Sequence, residues 1–394
     1  MADFDVILSS GGSKGMAFMG AVEVLQRKHR VRRVIGTSAG AIGALFLAAG
    51  YTAKELIGIL GPNGADRTAL AQLLAPPDAE PLKEAMRQPD SEIRRLGRSF
   101  LDTVIDRVMG KLSEKLPRVA FGLRVAAAPH RDELRTAVLE AMIEHAAGPR
   151  LASLASFLEF GGFYSSETAI DWLSKRVATQ VRGFTADWTL AQLFQATGRD
   201  VTFVTADTTE KRALFLNHRT APDCPAVQAV RMSLSIPLVW QEIVWPAHWG
   251  KYLNQPMTGH VLVDGAAMLE MPLQLYLKPD EPMVRQVMGP PPAGEAHTIG
   301  LLLDDQIPPP GMNGNPGNGA AGMGKLDLRI GRLVDTLTRW EQDALKPLDA
   351  LICRIPTQGF SALEFEMSQE RFDALINSGR CAMTEYLTQR KFAV

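Results

Sequence analysis

The sequence predicts an α/β protein with a three-layer α/β/α arrangement, a mostly parallel central sheet, a helical insertion and a helical C-terminal tail. Residues 6–8 form a continuous apolar run, which is typical of a strand buried on both faces. Residues 31–35 predict a second strand. A glycine-rich turn and a stretch of helical character follow each of them. This alternation indicates a parallel sheet covered by helices on its faces.

The helices that flank these strands have recognisable ends. The first is predicted over residues 16–28, and the second over 41–49 with Gly50 as its terminator. Thr52 and Glu55 form a capping box that opens a third helix. A second capping box opens a helix at residue 190 that ends at Gly198. Further strands are predicted at residues 201–206, 212–216, 261–263 and 298–303.

Residues 1–394 are predicted to form a single domain. Strand signals vanish in one long arginine-rich stretch, which predicts a helical insertion into the α/β core. A later stretch of Pro, Gly, Asn and Ala has the composition of a flexible loop. The predicted segments are the core at 5–60 and 160–305, the insertion at 62–155, the loop at 308–324 and the helical tail at 326–394, with helices at 326–348 and 368–387.

Composition excludes several classes of protein. The 394 residues carry 42 Lys and Arg against 43 Asp and Glu, so no overall positive field attracts nucleic acid. The three cysteines lack the spacing of a zinc site or a disulfide framework, which fits a reducing cytoplasm. The longest apolar run, residues 39–49, is too short to span a bilayer. Any membrane association is therefore expected to be peripheral.

The motif Gly36-Thr37-Ser38-Ala39-Gly40 lies between a predicted strand and a predicted helix. A serine on such a tight turn projects its hydroxyl above the sheet, and flanking glycines avoid collision with the neighbouring strand and helix. The N-terminal end of the following helix favours the negative charge that develops during acyl transfer. We predict that Ser38 is a nucleophile. A turn with small-residue helix packing is the structural alternative.

The earlier turn, Gly11-Gly12-Ser13-Lys14-Gly15, presents backbone N–H groups to an anion. It is not a P-loop, because Lys14 precedes the last glycine, and its spacing does not fit a dinucleotide fingerprint. Neighbouring parallel strands place their following turns at the same edge of the sheet. An oxyanion hole for the serine therefore fits this turn best.

A serine nucleophile needs a base, and Asp264 is the best candidate. It follows a short buried strand directly and precedes Gly265 and Ala266. We expect it at the carboxyl end of that strand, the edge where α/β sheets place their sites. An ordinary Asp-Gly turn is the alternative interpretation. None of the seven histidines has a comparable turn context, although His297 follows Asp264 in the order of an α/β-hydrolase triad.

Together the three turns resemble the patatin-like phospholipases, which use a Ser–Asp dyad. The family's oxyanion loop matches residues 11–15, its G-x-S-x-G motif matches residues 36–40, and its D-G-[GA] motif begins at Asp264. The motifs occur in the family's order, and the resemblance covers the predicted core. It extends to residues 189–218 and 233–237.

The resemblance implies that Ser38 attacks an acyl ester of a glycerophospholipid or lysophospholipid, with Asp264 as base and an acyl-enzyme intermediate. Neither step requires a metal or another cofactor. The family usually has three consecutive glycines in the first loop, and the first position here is Ser10. We still expect an oxyanion hole formed by Gly11, Gly12 and Ser13.

The resemblance also implies a phospholipid membrane surface as partner, with an activating protein or small molecule as a second candidate partner. Lys14 either orients the glycine loop or meets a phosphate headgroup, and an ordinary exposed lysine is the alternative. Two other functions stay open: an esterase with a Ser–His–Asp triad, and a catalytically silent module that binds lipid or an anion. Neither the headgroup, the sn-1 or sn-2 preference nor the oligomeric state follows from the sequence.

Overall fold

The chain begins with a buried strand that the sequence predicts. The computed structural model describes residues 1–66, 69, 71–115, 131–312 and 344–394. Gly50, with a φ of 110°, ends the second helix, and Thr52 caps the third through the predicted capping box. The first elements are β1 (Asp3–Leu8), α1 (Met16–Lys28), β2 (Arg30–Thr37), α2 (Ala39–Ala49) and α3 (Ala53–Leu60).

The next segment forms one of two compact units, Ala75–Ser165. The unit is mainly helical and overlaps the insertion predicted at 62–155. One apolar cluster of buried residues in this unit comprises Leu82, Met86, Ile143, Ala147, Ala152 and Ala155. Its elements are α4 (Ala79–Arg87), α5 (Glu92–Lys115), α6 (Arg131–Ala146), α7 (Ala152–Phe160) and the short strand β3 (Gly162–Tyr164).

The other unit comprises Met1–Leu74 and Ser166–Val394. After Ser166 its helices are α8 (Glu167–Gln180), α9 (Leu190–Thr197), α10 (Ala226–Leu234), α11 (Gln274–Leu277), α12 (Pro282–Met288) and α13 (Gln369–Gln389). Its strands there are β4 (Asp200–Asp207), β5 (Arg212–Leu216), β6 (Leu238–Trp240), β7 (Ile243–Val244), β8 (Lys251–Tyr252), β9 (Gln255–Pro256), β10 (Val261–Asp264), β11 (His297–Asp304) and β12 (Ile352–Pro356). None of the described helices is long and apolar enough to cross a bilayer.

The central sheet of this unit has the order β12-β11-β1-β2-β4-β10-β7, and β5 pairs with β4. The strands from β12 to β4 are parallel, whereas β5 and β10 are antiparallel to β4. Along β1, Val6 and Leu8 pack into one apolar cluster and Ile7 into another. Since successive side chains of a strand point to opposite faces, the sheet is covered on both sides. The predicted α/β class is confirmed.

The predicted helical tail at 326–394 is wrong in one part, because it contains a strand. β12 extends the sheet by pairing in parallel with β11, and Cys353 and Ile355 are buried by that pairing. The five residues of β12 are too few for a reliable periodicity, so the neighbouring strand decides their conformation. The helix predicted at 368–387 corresponds to α13. Most of the loop predicted at 308–324 and of the helix predicted at 326–348 lies outside the described residues.

Two glycines let α1 and α13 approach closely. A Cβ on Gly379 of α13 would lie 2.0 Å from the Ala17 carbonyl oxygen, and one on Gly20 of α1 would lie 2.1 Å from the Ile376 carbonyl oxygen. Both distances are far below van der Waals contact, so any side chain there forces the two helices apart. The C-terminal helix therefore packs on the N-terminal one through backbone contact.

Gly379→Ala is expected to lower the free energy of unfolding by about 1–3 kcal/mol, the usual cost of overpacking. Gly58→Ala in α3 is the matched control, because nothing lies within 4 Å of its Cβ position. Alanine there is expected to stabilise the helix by up to about 1 kcal/mol. Denaturant unfolding of both variants checks this, and equal effects at the two positions would contradict the close helix approach.

Candidate active site

Ser38 occupies the turn between β2 and α2 in a strained backbone conformation, with φ 54° and ψ −123°. Non-glycine residues seldom adopt positive φ, and such strain is common at functional sites. A Cβ on Gly36 would lie 2.3 Å from the Gly40 carbonyl oxygen, and one on Gly40 would lie 2.2 Å from that of Leu8. The motif thus needs both glycines, for the steric reason that the sequence suggests.

The Ser38 hydroxyl donates a hydrogen bond to Asp264, with 2.5 Å between Oγ and Oδ2. Both side chains are almost fully buried, at 2% and 1% exposure. The other carboxylate oxygen, Oδ1, accepts a 2.8 Å hydrogen bond from the Ala266 N–H. One oxygen of Asp264 is therefore held by the backbone, while the other faces the serine hydroxyl.

Asp264 is the last residue of β10 and therefore lies at the carboxyl end of that short strand. β10 runs antiparallel to β4. β5 pairs along one side of β4, and on its other side Val204 pairs with Thr37, the residue before Ser38, and the next residue, Thr205, pairs with Asp264. Because β10 is antiparallel to β4, it enters the sheet from the carboxyl edge. It has only four residues, so it stops at the level of Ser38. Strand direction depends on pairing partners, which local sequence does not reveal.

Burial raises the pKa of Asp264 to about 7 from an ordinary value of 3.8. Desolvation is the largest cause, because it penalises the charged carboxylate. The hydrogen bonds from Ser38 and from the Ala266 N–H act in the opposite direction. A carboxyl group with a pKa near neutrality is suited to accept and return a proton.

Two serines that the sequence analysis did not assign support this pair. Ser233 accepts a 2.9 Å hydrogen bond from the Ser38 N–H and donates one of 2.6 Å to the Val204 carbonyl. The Ser235 carbonyl accepts a 2.8 Å hydrogen bond from the Asp264 N–H. Both lie at the end of α10, within the small-residue stretch 233–237 that resembles the family. The resemblance of that stretch to the family is the one feature of the sequence that points to these two serines.

The glycine loop lies beside Ser38 and contains two residues with positive φ, Gly11 at 147° and Gly12 at 58°. Neither the Gly11 nor the Gly12 N–H has a hydrogen-bond acceptor among the described residues. Ser13 differs, because its N–H donates to the Ala362 carbonyl at 2.8 Å and its hydroxyl to the Ser361 carbonyl at 2.9 Å. The prediction that Ser13 is a third oxyanion donor is therefore wrong, because the Ala362 carbonyl already accepts the hydrogen bond from its N–H.

The other glycine-loop and aspartate-loop residues have packing roles. Lys14 is buried, at 5% exposure, and its Nζ lies 3.5 Å from Asp305, so it is not an ordinary exposed lysine. A Cβ on Gly15 would lie 2.8 Å from the Ala39 Cβ, and one on Gly265 would lie 2.4 Å from the Val204 carbonyl oxygen. These contacts hold the three turns together at one edge of the sheet.

An apolar pocket of about 650 Å³, solvent at its mouth included, begins at Ser38. Its apolar wall comes from the helices on one face of the sheet and from residues near β6 and α13. The larger lining side chains are Met16, Met19, Ile42, Phe46, Leu56, Leu60, Leu73, Leu234, Ile236, Trp240 and Phe365. A concave site lined mainly by aliphatic and aromatic side chains suits a small apolar molecule or a lipid chain.

His297 lies far from this edge, so the Ser–His–Asp alternative built on it is wrong. It begins β11 and pairs in register with Phe4 near the start of β1, whereas the glycine loop follows the end of β1. Its ring packs against Phe4 and Phe392. Among the described residues no histidine is hydrogen-bonded to Ser38 or Asp264, and no group of three or more His, Cys, Asp or Glu has the arrangement of a metal site.

The chain is similar to known proteins. The model of the family described as patatin-like phospholipase matches residues 6–276. A stretch of 53 residues is 58% identical to the uncharacterized protein YqhO of Bacillus subtilis (strain 168), and it covers 13% of this chain and 18% of YqhO.

Two solved structures of bacterial proteins are similar to this chain at low sequence identity. VipD from Legionella pneumophila has 15% identity and a TM-score of 0.42, with 98% of this chain and 67% of VipD covered. ExoU, solved with SpcU from the type III secretion system of Pseudomonas aeruginosa, has 17% identity and a TM-score of 0.38, with 100% of this chain and 53% of ExoU covered. The chain thus spans about half the length of ExoU. Since the family model matches well over half of the chain, the chain belongs to the patatin-like phospholipase family.

Proposed function

We propose that this protein hydrolyses an acyl ester of a glycerophospholipid or lysophospholipid through Ser38 and Asp264. The observation that carries the proposal is the 2.5 Å hydrogen bond from Ser38 Oγ to Asp264 Oδ2 at the end of an apolar pocket. A nucleophile and its base within hydrogen-bond reach are what covalent acyl transfer requires. The apolar pocket supports an acyl chain as the group that is bound.

In the first half-reaction the ionised Asp264 accepts the Ser38 proton while Oγ attacks the ester carbonyl carbon. The oxygen that becomes negative is stabilised by the Gly11 and Gly12 N–H groups and by the N-terminal end of α2. Collapse of the tetrahedral intermediate breaks the ester C–O bond. The leaving alkoxide takes the proton from Asp264, and the acyl group stays on Ser38.

In the second half-reaction Asp264 accepts a proton from water, whose oxygen attacks the acyl-enzyme carbonyl. The same two N–H groups stabilise the second oxyanion. When the bond to Ser38 Oγ breaks, the serine regains the proton from Asp264 and the fatty acid leaves. One carboxyl group therefore acts as base and acid in turn, and its pKa of about 7 supports both roles.

Little of the pair faces solvent, because Ser38 and Asp264 are only 2% and 1% exposed. Phe365 lines the pocket, and its ring makes an edge contact with that of Trp240 at a centroid distance of 6.4 Å. We propose that a phospholipid surface or an activating molecule displaces such side chains and admits the substrate. Peripheral membrane association belongs to the same proposal.

A fluorophosphonate tests the proposal directly, since an activated serine displaces its fluoride and becomes phosphonylated. The wild-type protein is incubated with the probe, the labelled peptide is identified by mass spectrometry, and fatty-acid release is measured from phosphatidylcholine and lysophosphatidylcholine vesicles. We expect the label on Ser38 and a loss of lipid hydrolysis in proportion to labelling. Hydrolysis that survives complete labelling of Ser38 would overturn Ser38 as the nucleophile. A protein that neither labels nor hydrolyses would instead support the silent lipid-binding module.

A further inference from the structure

A buried pair outside the proposed Ser–Asp dyad connects the two loops of the site. The Ser10 hydroxyl donates a 2.8 Å hydrogen bond to Glu270 Oε1. Both side chains are buried, with Ser10 at 6% and Glu270 at 2% exposure. Burying a carboxyl group is costly in free energy, so a Glu retained at this depth calls for a physical reason. The steps of the proposed mechanism do not use Glu270.

Glu270 belongs to the segment that follows Asp264. This segment starts with the hydrogen bond from the Asp264 N–H to Ser235, and the Leu269 N–H bonds back to the Gly265 carbonyl at 2.9 Å. Beyond Glu270 the segment packs on the sheet, where the Met271 sulfur occupies the space beside Gly300 of β11. The segment is thus held on both sides of Glu270, and its position is set by the same loop that holds Asp264.

Ser10 immediately precedes the two glycines whose N–H groups the proposed mechanism assigns to the oxyanion. Their positive φ angles belong to a backbone that glycine adopts easily and also leaves easily. On the C-terminal side of the two glycines, the loop is held by Ser13 through its two hydrogen bonds to residues 361 and 362. On the N-terminal side of the two glycines, the loop is held by the hydrogen bond from the Ser10 hydroxyl to Glu270. The two free N–H groups lie between these two points of attachment.

We propose that Glu270 is a positioning residue for catalysis, which acts through Ser10 to hold the Gly11 and Gly12 N–H groups at the oxyanion. The inference rests on the proposed hydrolase function and adds a residue to it. Ser10 stands where the family usually has a glycine, so this chain replaces backbone freedom with a side-chain hydrogen bond. A displacement of about 1 Å in such groups can cost on the order of 100-fold in rate.

The test compares Ser10→Ala and Ser10→Gly with Ser9→Ala. Ser9 is a matched control, because it is equally buried and its hydroxyl makes only a 3.3 Å contact with the Ser10 carbonyl. Loss of the Ser10 hydroxyl is expected to lower kcat about 10- to 100-fold and to leave KM within about twofold. Ser10→Gly is expected to lose activity as well, although it creates the family's three consecutive glycines. Ser9→Ala keeps the wild-type kcat.

Coupling to Glu270 is measured by a double-mutant cycle. In a Glu270→Met background, Ser10→Ala is expected to change kcat by less than about twofold, because its partner is already absent. If Glu270→Met does not fold, the Ser10 variants decide the question alone. Equal kcat values for the wild type and Ser10→Ala would overturn the inference, as would equal losses in Ser9→Ala and Ser10→Ala.

The rate of fluorophosphonate labelling at Ser38 separates this inference from the proposed function. Ser38 Oγ attacks the phosphorus through a five-coordinate transition state and expels fluoride, and the negatively charged phosphonyl oxygen needs the same N–H groups. Labelling in Ser10→Ala is therefore expected to slow by a factor similar to that in kcat. Normal labelling of the wild type together with normal labelling of Ser10→Ala overturns only the role of Glu270. A wild-type protein that does not label at Ser38 overturns both.

Discussion

Ser38→Ala and Asp264→Asn are each expected to lower kcat for phospholipid hydrolysis by at least about 10³-fold. Alanine removes the attacking oxygen. Asparagine keeps the shape and can still accept the Ala266 N–H at the position of Oδ1, but its amide group cannot accept the serine proton. Initial rates of fatty-acid release, measured with vesicles, give both values.

The double variant distinguishes a working pair from two independent residues. Because Ser38 and Asp264 act on one proton, Ser38→Ala with Asp264→Asn is expected to be no slower than Ser38→Ala alone. Ser378→Ala serves as the control, since this buried serine lies in α13 and donates to the Pro356 carbonyl. It is expected to keep wild-type activity. An Asp264→Asn protein that retains activity within tenfold of wild type would rule out Asp264 as the base.

The pH dependence of kcat/KM is the second large effect. Asp264 must be ionised to accept a proton, and its pKa is about 7. Activity is therefore expected to rise with pH through neutrality, with kcat/KM about tenfold lower at pH 6 than at pH 8. Hydrolysis of a soluble short-chain ester at constant ionic strength measures this limb without changes in the vesicles. A flat profile between pH 5 and 8 would contradict the raised pKa.

The Asp264 carboxyl group also makes stability depend on pH, but stability falls with rising pH where activity rises. In the folded protein its pKa is raised above the unfolded value, so the folded state binds the proton more tightly. Its contribution to stability is complete below about pH 4 and is lost as the pH rises towards 7. Asp264→Asn cannot ionise, so at pH 8 it is expected to unfold with a free energy higher by up to about 4 kcal/mol. Denaturant unfolding at pH 5 and pH 8 measures whether this difference shrinks in acid.

The first half of the fold follows from local signals in the sequence. The run at residues 6–8, the capping box at Thr52 and the terminators Gly50 and Gly198 each act through neighbours a few residues away. Such signals specify helix ends and buried strands with little help from the rest of the chain. The elements from β1 to α3 and the helix α9 accordingly agree with the predictions in type and in approximate bounds.

The differences all involve partners that are distant in the sequence. β12 is a strand because β11 lies beside it. The Ser13 N–H is occupied because the carbonyl of Ala362, far along the chain, lies next to it. The His297 alternative fails because that residue lies at the opposite end of the strands. No local pattern contains this information.

By itself the sequence determined which residue types stand at the turns: a serine between two close-packed glycines, a glycine pair before a helix, and an aspartate after a short apolar strand. Steric and capping rules act over a few residues, so these features could be read directly. Only the tertiary structure decided that Ser38 and Asp264 share a hydrogen bond, that the carboxyl group is desolvated, and that Glu270 contacts Ser10. Those properties depend on which distant segments become neighbours when the sheet forms, and burial and pKa exist only once they have.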